Sequence, residues 1–248
     1  KAGREGTGIN NLVWIGKAVT YASKFSSIAN RDGYEPIIFS ESFYKNKVRE
    51  EIDFSEALDY EILSDSIFKN ISDTVTPQGI MGIVKRQEYD VMDLLRGEDT
   101  FLLMLEDIRD PGNLGTIIRT AEAAGVTGII MNSSCVDLYN PKVIRSTMGS
   151  IFRLPVYITE NLTETLIDIK NKKITIYAAH LEGKSYSNQA FNGKIAILIG
   201  NEANGLSPEI SEMTDKWIRI PMKGKGESLN AAVASSILMY EVARQRGI

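Results

Sequence analysis

Beyond residue 100 the chain alternates between two hydrophobic patterns. Short uninterrupted apolar runs, such as Phe101-Leu-Leu-Met-Leu105 and Ile195-Ala-Ile-Leu-Ile199, read as strands buried on both faces. Between them lie segments whose apolar residues recur every three or four positions, the signature of amphipathic helices. Asp110-Pro-Gly-Asn113 opens the first such helix, with Asn113 placed to cap it and Gly125 to end it. The pattern continues with a strand at Thr127–Met131, a helix at Pro141–Ile151 with proline in its first turn, and a strand at Leu154–Ile158. Leu162–Lys170 follows as a helix, then strands at Lys173–Ala178, Lys194–Ile199 and Trp217–Ile220, and a closing helix at Leu229–Arg244. This alternation predicts an α/β domain, a mostly parallel sheet covered on both faces by helices.

The first part of the chain is less regular. Asn11–Phe25 reads as a helix, Glu35–Phe39 as a strand and Asp65–Asp73 as a helix; Thr76-Pro-Gln-Gly79 then breaks the chain before a strand at Ile80–Val84. The charge-rich stretch Glu88–Asp99 reads as a linker or a short exposed helix. Two domains are therefore expected, a small N-terminal α/β domain over residues 1–95 and a larger one over 96–248.

At 248 residues there is ample material for unassisted cores. The single cysteine, Cys135, excludes an intramolecular disulfide and a cysteine-based zinc cluster, which points to a reducing, cytoplasmic setting and no metal. No apolar run reaches the length of a membrane span, and Lys1–Gly8 lacks the apolar core of a secretory leader. The net charge of −4 argues against a protein that binds nucleic acid with its whole surface. That charge is uneven: 11 basic and 15 acidic residues precede Leu95, and 17 of each follow it. Any RNA contact must then be a local patch. Arg109, Arg119, Lys142, Arg145, Lys223 and Lys225 are its candidates, weighed against ordinary solvated charge.

Three strings carry candidate chemistry. The first, Glu106 to Gly125, places Asn113 and Arg119 less than two helical turns apart. On residue chemistry alone Asn113 is a helix cap and Arg119 a surface cation. In the second, Ile197-Leu-Ile-Gly-Asn-Glu-Ala-Asn-Gly-Leu-Ser-Pro208, a strand runs into a loop where Gly200 admits close approach and Glu202 supplies a carboxylate. In the third, Ile220-Pro-Met-Lys-Gly-Lys-Gly-Glu-Ser-Leu-Asn230, a flexible loop leads to Ser228, a good helix cap, with Asn230 close behind. Loops of this kind present backbone groups to a ligand at the carboxyl edge of a sheet. The Gly-x-Gly-x-x-Gly spacing of a dinucleotide fold is missing, since Gly112 and Gly115 are spaced otherwise.

Taken together, the three strings resemble the motifs of the SpoU/TrmH family of the SPOUT superfamily. These are RNA ribose 2′-O-methyltransferases that use S-adenosylmethionine, and the likeness covers about residues 100 to 246. It implies a trefoil-knotted C-terminal methyltransferase domain and a homodimer whose partner completes the site. It further implies catalytic roles for Asn113, Arg119, Glu202, Ser228 and Asn230, and cofactor contacts at Gly200, Ile220 and Leu229. Tyr177–Gly183, carrying Ala179 and the only histidine, His180, matches the family's first cofactor loop. Asn140–Pro155 also resembles the family, making Lys142 and Arg145 candidates for RNA contact alongside Arg109. The N-terminal part resembles more faintly the RNA-recognition domain of family members acting on ribosomal RNA, although Leu12-Val-Trp-Ile-Gly16 lacks the acidic residue usual there.

A ribose hydroxyl is a weak acid, so methylation needs in-line positioning and loss of one proton. The resemblance gives the proton transfer to Arg119, which alternatively holds the substrate phosphate and stabilises the developing alkoxide. The expected substrate is 23S ribosomal RNA. Transfer RNA, a non-catalytic RNA-binding role and, more remotely, a nucleotide-dependent dehydrogenase are the alternatives.

Overall fold

The computed structural model describes residues 12–15, 37–45, 60–72, 75–224 and 228–247. The chain divides into two compact units, Lys1–Gln87 and Glu88–Ile248.

In the first unit, strands β1 (Leu12–Ile15), β2 (Ile37–Ser40), β3 (Tyr60–Leu63) and β4 (Ile80–Lys85) form one sheet in the order β1-β4-β2-β3. Among the described residues of this sheet, only the β2–β3 pair is parallel. Residues 12–15, expected in a helix, pair antiparallel with β4 instead; the helical reading of this stretch is overridden by the ladder it joins. The rest of that expected helix lies outside the described residues. Two short helices, α1 (Glu41–Phe43) and α2 (Asp65–Ile71), are started by serine caps at Ser40 and Ser64. Phe39 is fully buried and lies against the rings of Phe43, Tyr44 and Tyr60.

The second unit begins eight residues before the expected boundary. Helix α3 (Val91–Leu94) is neither a linker nor an exposed helix: Leu94 and Leu95 are 6% and 1% exposed, inside the core. The charged residues around them hid two adjacent leucines that cover the sheet. Six strands then make an all-parallel sheet: β5 (Phe101–Leu105), β6 (Gly128–Asn132), β7 (Val156–Thr159), β8 (Thr175–Ser185), β9 (Ile195–Ile199) and β10 (Lys216–Arg219). Their order is β10-β8-β9-β5-β6-β7. Every residue of β5 and β9 is buried, as the uninterrupted apolar runs require of central strands with both faces covered.

Helix α4 (Pro111–Ala123) buries Leu114, Ile117, Ile118 and Ala121, the i, i+3, i+4, i+7 stripe of an amphipathic helix, so Asn113, Thr116 and Arg119 face away from the sheet. Its cap is Asp110, which accepts from the Asn113 N–H at 2.8 Å, and this leaves the Asn113 side chain free for other partners. Helix α5 (Pro141–Thr147) is shorter than expected. Met148 and Gly149 both take left-handed conformations, at φ 51 and 88, and a separate 3-10 turn follows at Ser150–Phe152. Helices α6 (Leu162–Asn171), α7 (Pro208–Glu212) and α8 (Ala231–Gln245) complete the unit. The cap of α8 is Asn230, not Ser228: its side chain accepts from the N–H groups of Ala232 and Val233. Among the described residues no helix is long and apolar enough to cross a membrane.

Candidate active site

Residues of the three strings meet in one hydrogen-bonded chain. The Asn113 side chain donates from Nδ2 to Glu202 Oε1 at 2.7 Å, and its Oδ1 accepts from Asn230 Nδ2 at 2.9 Å. Asn113 sits on the first turn of α4, Glu202 on the loop after β9, and Asn230 at the start of α8. Because β5 and β9 are parallel neighbours in register, the segments that leave their carboxyl ends emerge side by side. With both faces of its amide engaged, Asn113 is held in a single orientation. Asn230 meanwhile uses its own carbonyl on the α8 cap, so the backbone of that helix fixes the far end of the chain.

Glycine makes the close approaches. A Cβ on Gly200 would stand 2.3 Å from the carbonyl carbon of Gly205, so the loop can fold back on the strand end only without a side chain there. A Cβ on Gly115 would stand 2.3 Å from Ser146 Cβ, which is how α4 and α5 come into contact.

The expected cofactor residues share one edge of the sheet. Gly200 follows β9, Ile220 follows β10, and Ala179 and His180 lie in β8 where its pairing with β10 is interrupted. That interruption is large: Trp217 opposes Ala178 while the next residue, Ile218, opposes Lys184. The intervening stretch of β8 bulges away, carrying exposed Leu181. It was expected to be a loop after the strand and is instead an excursion within one longer strand. Leu229 stands just before α8. Leu181, within the excursion, and Met222, two residues after Ile220, are exposed apolar side chains, and with the backbone of the loops after β9 and β10 they are the chemistry that a nucleoside carrying an amino-acid chain would use. His180 stacks on Trp217 with ring centroids 4.1 Å apart, and its Nδ1 accepts from the Glu182 N–H, so both faces of its role are packing and loop closure.

Of the candidate cations, Arg119 lies on α4, Lys142 and Arg145 on α5, and Arg109 just before α4. Arg119 is exposed on α4, and among the described residues no hydrogen bond or ion pair engages it. Lys142 reaches over the turn at Gly112 and lies 3.8 Å from Asp110. Arg145 is exposed one turn later on α5. Arg109 is already engaged: its Nε donates to Asp107 at 2.9 Å, and that carboxylate holds the guanidinium pKa above its ordinary value. Ser228 is exposed and Lys223 likewise, whereas Lys225 lies outside the described residues.

Beside Asn113 a groove of about 490 Å³ runs between α4 and α8, lined by Thr116, Ser146, Val233, Ser236 and Ile237 among others. Its α8 wall continues as an apolar stripe, Val233, Ile237 and Tyr240 at i, i+4 and i+7, with Val233 48% and Tyr240 50% exposed. Several residues that shape the site were not singled out from the sequence. Asn201 and Asp107 join the two loops through a direct hydrogen bond, and Glu106 accepts from both the N–H and the hydroxyl of Ser207. Their polarity at strand ends was visible; their mutual contacts, between residues about a hundred positions apart, were not. Among the described residues no cluster of three or more potential metal ligands occurs.

Comparison with known proteins agrees with this geometry. The SpoU rRNA Methylase family matches residues 100–240. The 23S rRNA (guanosine(2553)-2′-O)-methyltransferase RlmP of Bacillus subtilis is 32% identical over 208 residues, 84% of this chain and 82% of its own. The AdoMet-bound rRNA methyltransferase of Sinorhizobium meliloti superposes with a TM-score of 0.76 at 26% identity, covering 96% of this chain and 88% of that one. The TrmH/SpoU tRNA modifying enzyme of A. aeolicus superposes with a TM-score of 0.55 at 30% identity, covering 63% of this chain and 80% of that one.

Proposed function

The chain belongs to the SpoU rRNA methylase family, and from that premise we propose that it transfers a methyl group from S-adenosylmethionine to a ribose 2′-hydroxyl of RNA. The observation that carries this reading is the chain Glu202–Asn113–Asn230, which joins three separated motifs at the carboxyl edge of the parallel sheet, with Arg119 exposed further along the helix that carries Asn113. When bound, S-adenosylmethionine supplies an electrophilic sulfonium methyl. The loops at Ala179–His180, Gly200, Ile220 and Leu229 hold it, and the protein's remaining task is to present the hydroxyl in line. Glu202 and Asn230 lock the Asn113 amide so that its orientation costs nothing at the moment of reaction. Arg119 acts as the cation that grips the neighbouring phosphate and stabilises the developing alkoxide. Ser228 lies beside the reacting ribose. Lys142, Arg145 and Arg109 contact the RNA backbone.

Ribosomal RNA, and 23S RNA within it, is the favoured substrate over transfer RNA. The likeness to RlmP and to the Sinorhizobium meliloti rRNA enzyme, over 84% and 96% of the chain, extends into the first unit, whereas the tRNA modifying enzyme of A. aeolicus matches 63% of the chain. The first unit serves as the RNA-recognition domain, and the second carries the trefoil knot. The uncovered stripe Val233, Ile237 and Tyr240 beside Asn113 is the surface on which a second copy docks, completing the site as a homodimer. The protein works in the cytoplasm.

The deciding experiment is transfer of labelled methyl from S-adenosylmethionine to total ribosomal and transfer RNA from cells lacking the protein, with nuclease mapping of the product. Label on a 2′-oxygen of large-subunit RNA is expected. Label confined to transfer RNA would reverse the substrate, and cofactor binding without transfer to any RNA would favour a non-catalytic RNA-binding role.

A further inference from the structure

Glu202 can meet Asn113 only if the loop that carries it is held against the loop that leads into α4. The loop after β9 is closed on itself by paired backbone hydrogen bonds between Asn201 and Gly205, at 3.0 and 2.9 Å. The Asn201 side chain then acts in two directions at once. Its Oδ1 accepts from the N–H groups of Ala203 and Asn204, at 2.8 and 3.1 Å, which completes the turn from within. Its Nδ2 donates outward to the Asp107 carbonyl at 2.8 Å and to Asp107 Oδ2 at 3.4 Å.

Asp107 is unusual in its own right. It adopts φ 58, a left-handed conformation that few residues other than glycine and asparagine or aspartate occupy. Its N–H donates to Asn132 Oδ1 at 2.9 Å, and its Oδ1 accepts from Arg109. A residue this constrained, with its carbonyl and one carboxylate oxygen turned to the neighbouring loop, is a fixed post.

We propose that Asn201 and Asp107 are positioning residues for the methyl transfer: Asn201 clamps the Glu202 loop to Asp107, and so sets the Glu202 carboxylate against Asn113. The inference rests on the methyltransferase reading for its kinetic consequence and on hydrogen bonding alone for its structural one.

The chemistry of the pair permits an exchange. Asn201→Asp retains an acceptor for the Ala203 and Asn204 N–H groups but loses the outward donor, and sets two carboxylates face to face. Adding Asp107→Asn restores a donor across the 3.4 Å side-chain gap and removes the facing charge, while the Asp107 main-chain carbonyl stays without its donor. Asparagine tolerates the left-handed conformation as aspartate does, and its carbonyl oxygen still accepts from Arg109. Two readouts are needed, steady-state methyl transfer and amide hydrogen exchange across residues 201–206. In Asn201→Asp, kcat is expected to fall roughly tenfold with little change in KM for RNA, and exchange in the loop to rise by a similar factor, the scale of one lost hydrogen bond. In the double variant both are expected to recover in part, since the side-chain contact returns and the bond to the main-chain carbonyl does not. An Asn201→Asp protein indistinguishable from wild type overturns the proposal, as does a double variant no better than the single. If Asn201→Asp fails to fold, the double variant decides: recovery of folding and loop protection supports the clamp, and continued failure sinks it. Absence of methyl transfer in the wild-type protein would defeat the functional reading, while the exchange pattern would still judge the clamp.

Discussion

Asn113 and Glu202, 89 residues apart, share a hydrogen bond of 2.7 Å in which the amide donates and the carboxylate accepts. A bond to a charged acceptor in a half-buried site is worth about 1.5–3 kcal/mol, more than a neutral one. Asn113 is thus tied to a charge on one side and to Asn230 on the other.

If this bond orients Asn113 for the reaction, Glu202→Ala and Asn113→Ala should each lower kcat by roughly 10- to 150-fold, the rate equivalent of that energy. The double substitution should cost little more than the worse single one, because both remove one interaction. A double-mutant cycle in labelled methyl transfer measures this, and strict additivity would show that the two residues act separately.

Arg119→Ala should abolish most transfer, by a factor on the order of 10²–10³ for loss of one charge-stabilising donor. Stability should stay unchanged, since the side chain is exposed and no partner is lost among the described residues. Parallel thermal denaturation and transfer assays test this. Methylation at the wild-type rate would remove Arg119 from the mechanism altogether.

Asn230 has two functions that one pair of substitutions separates. Asn230→Asp keeps an oxygen for the Ala232 and Val233 N–H groups, so α8 stays capped, but it loses the donor to Asn113. Activity should fall with little loss of stability. Asn230→Ala should lose both, with a stability cost of about 1 kcal/mol for the missing cap. Denaturant unfolding beside kinetics distinguishes them, and equal stability losses in the two variants would contradict the assignment.

Cys135 gives a pH dependence. Burial raises its thiol pKa from 9.0 to about 11, while its sulfur accepts the Ile108 N–H and lies near Asn132 Oδ1. The unfolded thiol ionises first as pH rises, so this group withdraws stability between about pH 9 and 11 and contributes nothing below that window. Alkylation at pH 8 should be slow in the native protein and fast in denaturant. Equal rates in both would show that the thiol is not shielded.

The continuous apolar runs at Phe101–Leu105 and Ile195–Ile199 and the three-four spacing of α4 were legible because burial on two faces, or on one stripe, leaves a direct imprint on residue order. The motif strings likewise displayed Asn113, Glu202 and Asn230 as polar residues at element ends. What the order of residues did not contain was which polar atom meets which. Asp110 rather than Asn113 caps α4, and Asn230 rather than Ser228 caps α8, because capping depends on backbone angles that several adjacent side chains could satisfy equally well. The excursion of β8 at Ala179–Gly183 and the burial of Leu94 and Leu95 depend on neighbours distant in sequence. Local patterning determined the strands, the helices and the chemical character of their ends. Only the tertiary structure, by setting β9 beside β5 in register, decided that Glu202 meets Asn113 and that Asn201 meets Asp107, since the energy of those contacts exists only once the sheet has formed.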